Sequence, residues 1–469
     1  MSRVARRLFA TAASYTSRPL PNKAHHHAPI PDAAFPHGYL ATGLHCGVKK
    51  AAGVPDLGLL LSTSERNTSA AACFTRNAFK AAPVVVSTEV LQRGGGAARA
   101  VVVNSGCANA VTGRRGMDDA WAMARATDAL LGTKGDEGEG NSETLVMSTG
   151  VIGQHLPIEK ILSGIRSQAQ TEAGSTLGTG FAAWERLARA FMTTDTFPKL
   201  RARAFTLDGK EYRLAGIDKG AGMIHPDMGP AATPSAPRAL HATLLGCIAT
   251  DAAVSPRSLQ SALAYAVDRS FNSISVDGDM STNDTVVALA NGAAADAGVP
   301  EVDEERTPEL YVAFRDELTA FAADLAKLVV RDGEGASKFV TVTVEGANTY
   351  QDAHKIAARI STSALVKTAL YGEDANWGRI LAATGSIPLS VPLDPTRVTV
   401  SFVPADGSTP LPVLVDGEPE NVDEARAKEI LSQEDFGVRV ELGLGKESAT
   451  YWTCDLSYEY VKINGDYRS

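Results

Sequence analysis

Ile217-Asp-Lys-Gly-Ala-Gly-Met-Ile-His-Pro226, followed after a Pro/Gly/Ala segment by Leu240-His-Ala-Thr-Leu-Leu-Gly-Cys-Ile-Ala-Thr-Asp-Ala-Ala-Val254, is the stretch around which the chain is organised. Four prolines from Pro226 to Pro237, together with Gly229, exclude a helix or a central strand between the two halves. The apolar run 244–254 is short and well bounded, as a buried strand would be. At the junction stands Thr243, preceded by the small Ala242. An Ala-Thr pair is ordinarily no more than a strand start. A hydroxyl between an irregular loop and a buried strand also suits self-cleavage, in which the threonine Oγ attacks the Ala242 carbonyl, the amide shifts to an ester, and water cuts it. The product is an N-terminal threonine whose own α-amino group, with a pKa near ~8, can serve as base for its hydroxyl.

Outward from this stretch, the 469 residues are enough for roughly two or three domains. Hydrophobic residues at 44% and charged residues at 21% describe an ordinary globular chain with ample core. The formal net charge of -9 provides no basic patch for a phosphate backbone and argues against a nucleic-acid partner. No apolar run approaches the ~18 residues of a membrane-spanning helix. Five scattered cysteines, Cys46, Cys73, Cys107, Cys247 and Cys454, lie mostly in apolar surroundings. They are expected as buried reduced thiols in a reducing compartment.

The first thirty residues differ from the rest. Arg3, Arg6, Arg7, Arg18 and Lys23 occur with Ser2, Ser14, Thr16 and Ser17, and no acidic residue precedes Asp32. Residues 1–30 are therefore expected to be a mitochondrial transit peptide and linker, with His25-His26-His27 in a disordered junction. The folded part is expected to begin near Phe35-Pro-His-Gly-Tyr39.

Short strands are expected at 57–61, 84–86, 100–103, 273–276, 339–344, 398–402, 438–442 and 449–456. Helices are expected at 117–131, 158–169, 180–191, 255–271, from Thr307-Pro308 onward, and at 352–370. This alternation indicates a mixed α/β (α+β) fold, with layered sheets covered by helices. The strand 145–148 is expected to end in a Thr149-Gly150 turn. Such turns are usually structural, but their backbone N–H groups can also stabilise an oxyanion. Met192-Thr-Thr-Asp-Thr196 ends a helix and clusters short donors. Lys219, between glycine-rich residues, stands where a backbone can approach an anion. Asp277-Gly-Asp-Met-Ser-Thr-Asn-Asp284 alternates like a calcium loop but lacks Gly and Glu at EF-hand spacing. No Cys-x-x-Cys, His-Glu-x-x-His, Walker or dinucleotide fingerprint occurs in a supporting context, so no metal and no nucleotide cofactor is expected.

Taken together, Ser148-Thr-Gly-Val-Ile-Gly153, Met192-Thr-Thr-Asp-Thr196, Lys219-Gly-Ala-Gly-Met-Ile224, Ala242-Thr243, Ile248-Ala-Thr-Asp-Ala252, Arg331-Asp-Gly-Glu-Gly335, Asn376-Trp-Gly-Arg379 and Tyr460-Val-Lys-Ile-Asn464 resemble the ornithine acetyltransferase family, in order, over roughly 36–469. The basic N-terminus and the lengthened Pro-rich segment before Thr243 look like its fungal mitochondrial form. The resemblance implies a self-cleaving, N-terminal-nucleophile-like fold cut at Ala242-Thr243 into 31–242 and 243–469, assembled as a heterotetramer with two of each fragment. It further implies Thr243 as nucleophile and Thr149 and Gly150 as the oxyanion hole. Thr193, Lys219, Thr243, Glu334, Asn464 and Ser469 are the implied substrate-binding positions, and Thr194 competes with Thr193 for its role.

The implied activity is transfer of the acetyl group from N2-acetylornithine to glutamate by a ping-pong route, in the mitochondrial matrix, with acetyl-CoA as a further donor. Lys219 would meet the α-carboxylate and Glu334 the ornithine ammonium. A self-processing amidase or aminopeptidase of similar fold is the main alternative. A non-catalytic metabolite-binding protein is disfavoured by the presence of Thr149, Lys219, Thr243 and Glu334 together.

Overall fold

The computed structural model describes residues 19–132, 142–169, 174–230, 244–295 and 301–465. Their strands form three sheets. The first, in spatial order, is β1 (Tyr39–Leu44), β2 (Leu57–Ser62), β4 (Ala100–Cys107) and β5 (Thr144–Val151). β4 and β5 run parallel, and the other neighbours are antiparallel. Burial on both faces explains why β2 and β4 read as near-continuous apolar runs.

The second sheet orders β6 (Lys199–Leu207), β7 (Lys210–Lys219), β9 (Leu245–Thr250), β11 (Thr285–Ala290), β3 (Ser69–Thr75) and β8 (Met228–Pro230). Alternate residues of its central strands serve two different cores, as the period of two requires. Cys247 and Val287 join the core shared with the first sheet, whereas Ile248 and Val286 join the one beyond. Helices α1 (Ala82–Arg93), α2 (Gly113–Asp128) and α3 (Ile158–Arg166) pack on the first sheet, and α4 (Gly180–Phe191) touches strands of both. α5 (Pro256–Asp268) and α6 (Pro308–Arg331) cover the six-stranded sheet.

The third sheet orders β10 (Ile274–Ser275), β17 (Glu447–Cys454), β12 (Phe339–Ala347), β16 (Asp435–Glu441), β13 (Thr399–Pro404), β14 (Leu411–Val415) and β15 (Glu418–Pro419). With α7 (Tyr350–Ser361), α8 (Ala364–Gly372), α9 (Trp377–Thr384) and α10 (Glu424–Ser432) it builds a separate core. α11 (Tyr458–Gly465) carries the C-terminal segment back towards Glu334. The expected layered α/β architecture is the one found. No described helix is long and apolar enough to cross a membrane. All five cysteines are free thiols, four of them buried.

Several expectations are corrected. Residues 84–86 are not a strand but the first turns of α1, where Pro83 stands near the N-terminus and Val84, Val86, Val90 and Leu91 bury one helical face. The expected helix 352–370 is two helices, because the Ser363 side chain accepts the Val366 N–H and caps α8 anew. Thr149 and Gly150 lie within β5 rather than in a turn after it. The β6–β7 hairpin was not foreseen, since Lys199, Arg201, Arg203, Asp218 and Lys219 interrupt its apolar pattern.

The folded chain also begins before Phe35. Lys23 is buried and its Nζ donates to the Gly333 carbonyl at 3.3 Å. Arg201 donates to the His26 carbonyl at 3.0 Å, and the His26 ring lies against Phe197. Part of the segment read as linker is thus docked on the body of the protein. The basic residues 1–18 lie outside the described residues.

Candidate active site

At the ends of β4 and β5 the parallel register slips opposite Gly106 and Cys107. Gly150 has φ +124°, and a Cβ there would fall 2.4 Å from the Gly106 carbonyl carbon, so only glycine fits this close approach. Neighbouring side chains hold the irregularity open. Ser148 Oγ donates to Asn104 Oδ1 at 2.6 Å, and Asn104 Nδ2 donates to the Cys107 carbonyl at 2.8 Å. Asn283 Nδ2 donates to the carbonyls of Ser148 and Ala108 at 2.6 and 2.7 Å. The buried Thr149 hydroxyl faces Lys219 Nζ at 3.4 Å.

Lys219 ends β7, and a buried ionic hub fixes it. Lys199, wholly buried, contacts Asp195 Oδ1 at 2.5 Å and Asp332 Oδ2 at 2.6 Å. Each carboxylate then ties down backbone. Asp195 accepts the N–H groups of Thr193 and Gly220, both at 2.8 Å, and Asp332 accepts that of Thr196, also at 2.8 Å. One lysine thereby sets the donor segment 193–196, the turn after Lys219 and the segment before Glu334 relative to one another. The two carboxylates hold the Lys199 ammonium above its ordinary pKa against the opposing effect of burial. Burial pushes Lys219 down, and the charges of Asp195, Glu334 and Asp284 act against that fall. Lys219 therefore sits buried amid carboxylates at the end of β7.

Glu334 closes the other side. Its Oε2 accepts Asn464 Nδ2 at 2.9 Å, and its carboxylate lies so close to Gly222 that a Cβ there would fall 2.3 Å from it. The Thr193 hydroxyl is buried and hydrogen-bonds to none of the described residues.

Leu244, which follows Thr243 in the chain, is also fixed. The Leu244 N–H donates to Asp284 Oδ1 at 2.9 Å, and the Ser281 N–H donates to Oδ2 at 3.1 Å. Burial raises the Asp284 carboxyl to about 7 in spite of these donors. The adjacent residues Asn283 and Asp284 thus hold Ser148 on β5 and Leu244 at the head of β9. Sequence alone considered this loop only for calcium and missed the pair. The available signal was an Asn-Asp step entering the apolar strand 285–290.

The structure brings together Thr149, Gly150, Thr193, Lys219, Glu334 and Asn464, while Ala242, Thr243 and Ser469 lie outside the described residues. Two cavities meet at Thr194 and Arg189. One of about 710 Å³ reaches Glu334, and one of about 690 Å³ reaches Gly150 and Thr193. Among the described residues no cluster of three or more His, Cys, Asp or Glu side chains is placed to hold a metal ion.

The ArgJ family profile matches residues 40–469. The chain belongs to the ArgJ family. The arginine biosynthesis bifunctional protein ArgJ, mitochondrial, of Postia placenta is 72% identical over 458 residues, covering 98% of this chain and 97% of its own. The protein of the same name in Cryptococcus neoformans is 54% identical over 474 residues, covering 98% and 96%. The solved ArgJ structure from Bacillus halodurans is 37% identical and covers 46% of this chain and 96% of its own, with a TM-score of 0.42. Like its fungal relatives, this ArgJ protein is a mitochondrial, bifunctional acetyltransferase of arginine biosynthesis.

Proposed function

We propose that this enzyme moves the acetyl group of N2-acetylornithine to glutamate through an acetyl ester on Thr243. The observation that carries the reading is the clamp of Asn283 and Asp284, which places the residue after Thr243 beside the Thr149–Gly150 strand end and Lys219. Maturation comes first. Thr243 Oγ attacks the Ala242 carbonyl carbon, the C–N bond breaks as the ester forms and so frees the Thr243 α-amino group, and water hydrolyses the ester to release the Ala242 carboxylate and the Thr243 hydroxyl.

In the transfer half-reactions that amine takes the hydroxyl proton as Oγ attacks the acetyl carbon. The backbone N–H at Gly150 and the Thr149 side chain meet the oxyanion, with the Lys219 charge behind them. Collapse expels ornithine, whose leaving nitrogen takes the proton. Glutamate's amine then attacks the acetyl ester, and Thr243 Oγ recovers its proton. Lys219 and the Thr193 hydroxyl suit the α-carboxylate, and Glu334, oriented by Asn464, suits the side-chain ammonium of ornithine. The α and β fragments, divided between Ala242 and Thr243, assemble two of each, and no metal or bound cofactor takes part.

The test is to quench the enzyme with acetyl-labelled N2-acetylornithine in the absence of glutamate and digest it. Label on the peptide beginning at Thr243, discharged by added glutamate, is the expected result. Label released to water at the same rate with or without glutamate would sink the transfer mechanism.

A further inference from the structure

The cavity of about 710 Å³ that reaches Glu334 has residues 20–24 of the docked N-terminal segment in its wall. That segment is fixed from both sides of Lys23. Asn22 Oδ1 accepts the Ala24 N–H at 3.0 Å, at the head of the short turn Ala24–His26. Arg201 donates to the His26 carbonyl at 3.0 Å, and His27 Nε2 lies 3.1 Å from Glu185 Oε1. The Lys23 side chain is thereby held in the body of the protein, only 8% exposed. Its Nζ donates at 3.3 Å to the carbonyl of Gly333, the residue directly before Glu334.

The charges lining this cavity are Asp332 and Glu334 on one side of the ledger, and Lys23, Arg189 and His27 on the other. Most of them are already matched. Lys199 holds Asp332 at 2.6 Å, and Arg189 and His27 both meet Glu185 Oε1, at 2.7 and 3.1 Å. Among the described residues Lys23 has no carboxylate at ion-pairing distance and Glu334 has no cation; their contacts are the neutral Gly333 carbonyl and the Asn464 amide. Burial lowers the Lys23 ammonium from its ordinary pKa, and the charge of Asp332 acts against that fall. A buried lysine and a carboxylate left unpaired in one cavity are costly to keep. The two substrates supply a reason for both.

In the transfer reading, ornithine leaves and glutamate enters at the same acetyl-threonine. Each presents its α-nitrogen to the same carbonyl carbon, so with the α-carboxylate at Lys219 the two side chains extend the same way. Their ends carry opposite charge. Glu334 attracts the ornithine ammonium and repels the glutamate carboxylate. We propose that Lys23 is the specificity-determining cation for the acceptor, meeting the side-chain carboxylate of glutamate in the cavity where Glu334 meets the side-chain ammonium of ornithine. The inference rests on the acetyl-Thr243 reading above. The contact is a charge-assisted hydrogen bond in which Nζ donates, and no covalent bond changes.

The experiment uses the processed full-length enzyme, acetylornithine as donor, and either glutamate or its neutral isostere glutamine as acceptor. The wild type is expected to give parallel double-reciprocal lines and to favour glutamate. Lys23→Met, which keeps the stem and the wall, should lower kcat/KM for glutamate about tenfold, and the glutamate-to-glutamine ratio with it. In the same variant kcat/KM for acetylornithine should stay within about twofold. Lys23→Arg should restore most of the ratio. The ratio does not depend on how much of a variant folds, so a general loss of structure cannot imitate the result. An unchanged ratio in Lys23→Met, equal losses for acetylornithine and glutamate, or a wild type indifferent between the acceptors would overturn the assignment. Intersecting lines in the wild type would instead overturn the acetyl-threonine reading itself.

Discussion

Lys219 Nζ stands 3.4 Å from the Thr149 hydroxyl, with both side chains fully buried at the end of a bulged parallel strand pair. A lysine beside a hydroxyl whose neighbouring backbone N–H belongs to Gly150 is what the proposed oxyanion hole calls for. Thr149→Val, which keeps the shape and removes the hydroxyl, should lower kcat by about 10²-fold with little change in KM. Steady-state kinetics on the processed enzyme decide it; a kcat within threefold of wild type would remove Thr149 from the reaction.

Replacing Thr243 by Ala should leave one uncut chain and no acetyl transfer. Intact mass measurement and N-terminal sequencing read both outcomes. A wild-type protein with no fragment beginning at Thr243, or transfer surviving in the variant, would end the nucleophile assignment.

Asp284 gives the site a pH signature. Its folded pKa of about 7 lies above the ~3.9 of an exposed aspartate, so the folded state holds the extra proton between those values. Stability from this group is greatest below pH ~4 and declines as pH rises through ~7. Asp284→Asn should flatten that slope, seen as a smaller shift of the urea midpoint between the two pH values. It should also slow self-cleavage several-fold, because the amide cannot accept both the Leu244 and the Ser281 N–H groups. An unchanged slope with unchanged processing would show the carboxylate to be incidental.

The docked N-terminal segment makes a prediction about the leader. Leu20, Lys23 and His27 line the cavity that reaches Glu334. A protein beginning at Pro19 should therefore match the full chain, whereas one beginning at Ala28 should show a raised acetylornithine KM and a Tm lower by a few degrees. Sequencing the N-terminus of protein recovered from mitochondria should place leader removal upstream of Pro19. A mature terminus downstream of His27 on an active enzyme would contradict this.

The sequence disclosed what depends on local pattern. Buried runs such as 57–61 and 100–103 became strands because both sheet faces are covered, and the helices at 117–131 and 180–191 followed their apolar periodicity. Thr149, Gly150, Lys219 and Glu334 were legible through residue type and the resemblance of their surrounding segments. Pairing over long separations was hidden. Lys199 looks like a surface charge until Asp332, distant in sequence, comes to lie beside it. Asn283 and Asp284 look like loop filler until their partners prove to be the backbones at 148 and 244. At α1 a run of valines suggested a strand, and tertiary burial of one helical face prevailed over β propensity.

The order of the six-stranded sheet bears on what a cut at Ala242-Thr243 would do to the molecule. β9 and β11, from after the cut, lie between β7 and β3, from before it, with continuous ladders on both sides. Neither product carries the six-stranded sheet whole, and each alone would expose strand edges that its counterpart covers. The two pieces are therefore siblings of a single folding event. Mixing separately made halves should give aggregates, while the nicked protein should melt as one cooperative unit.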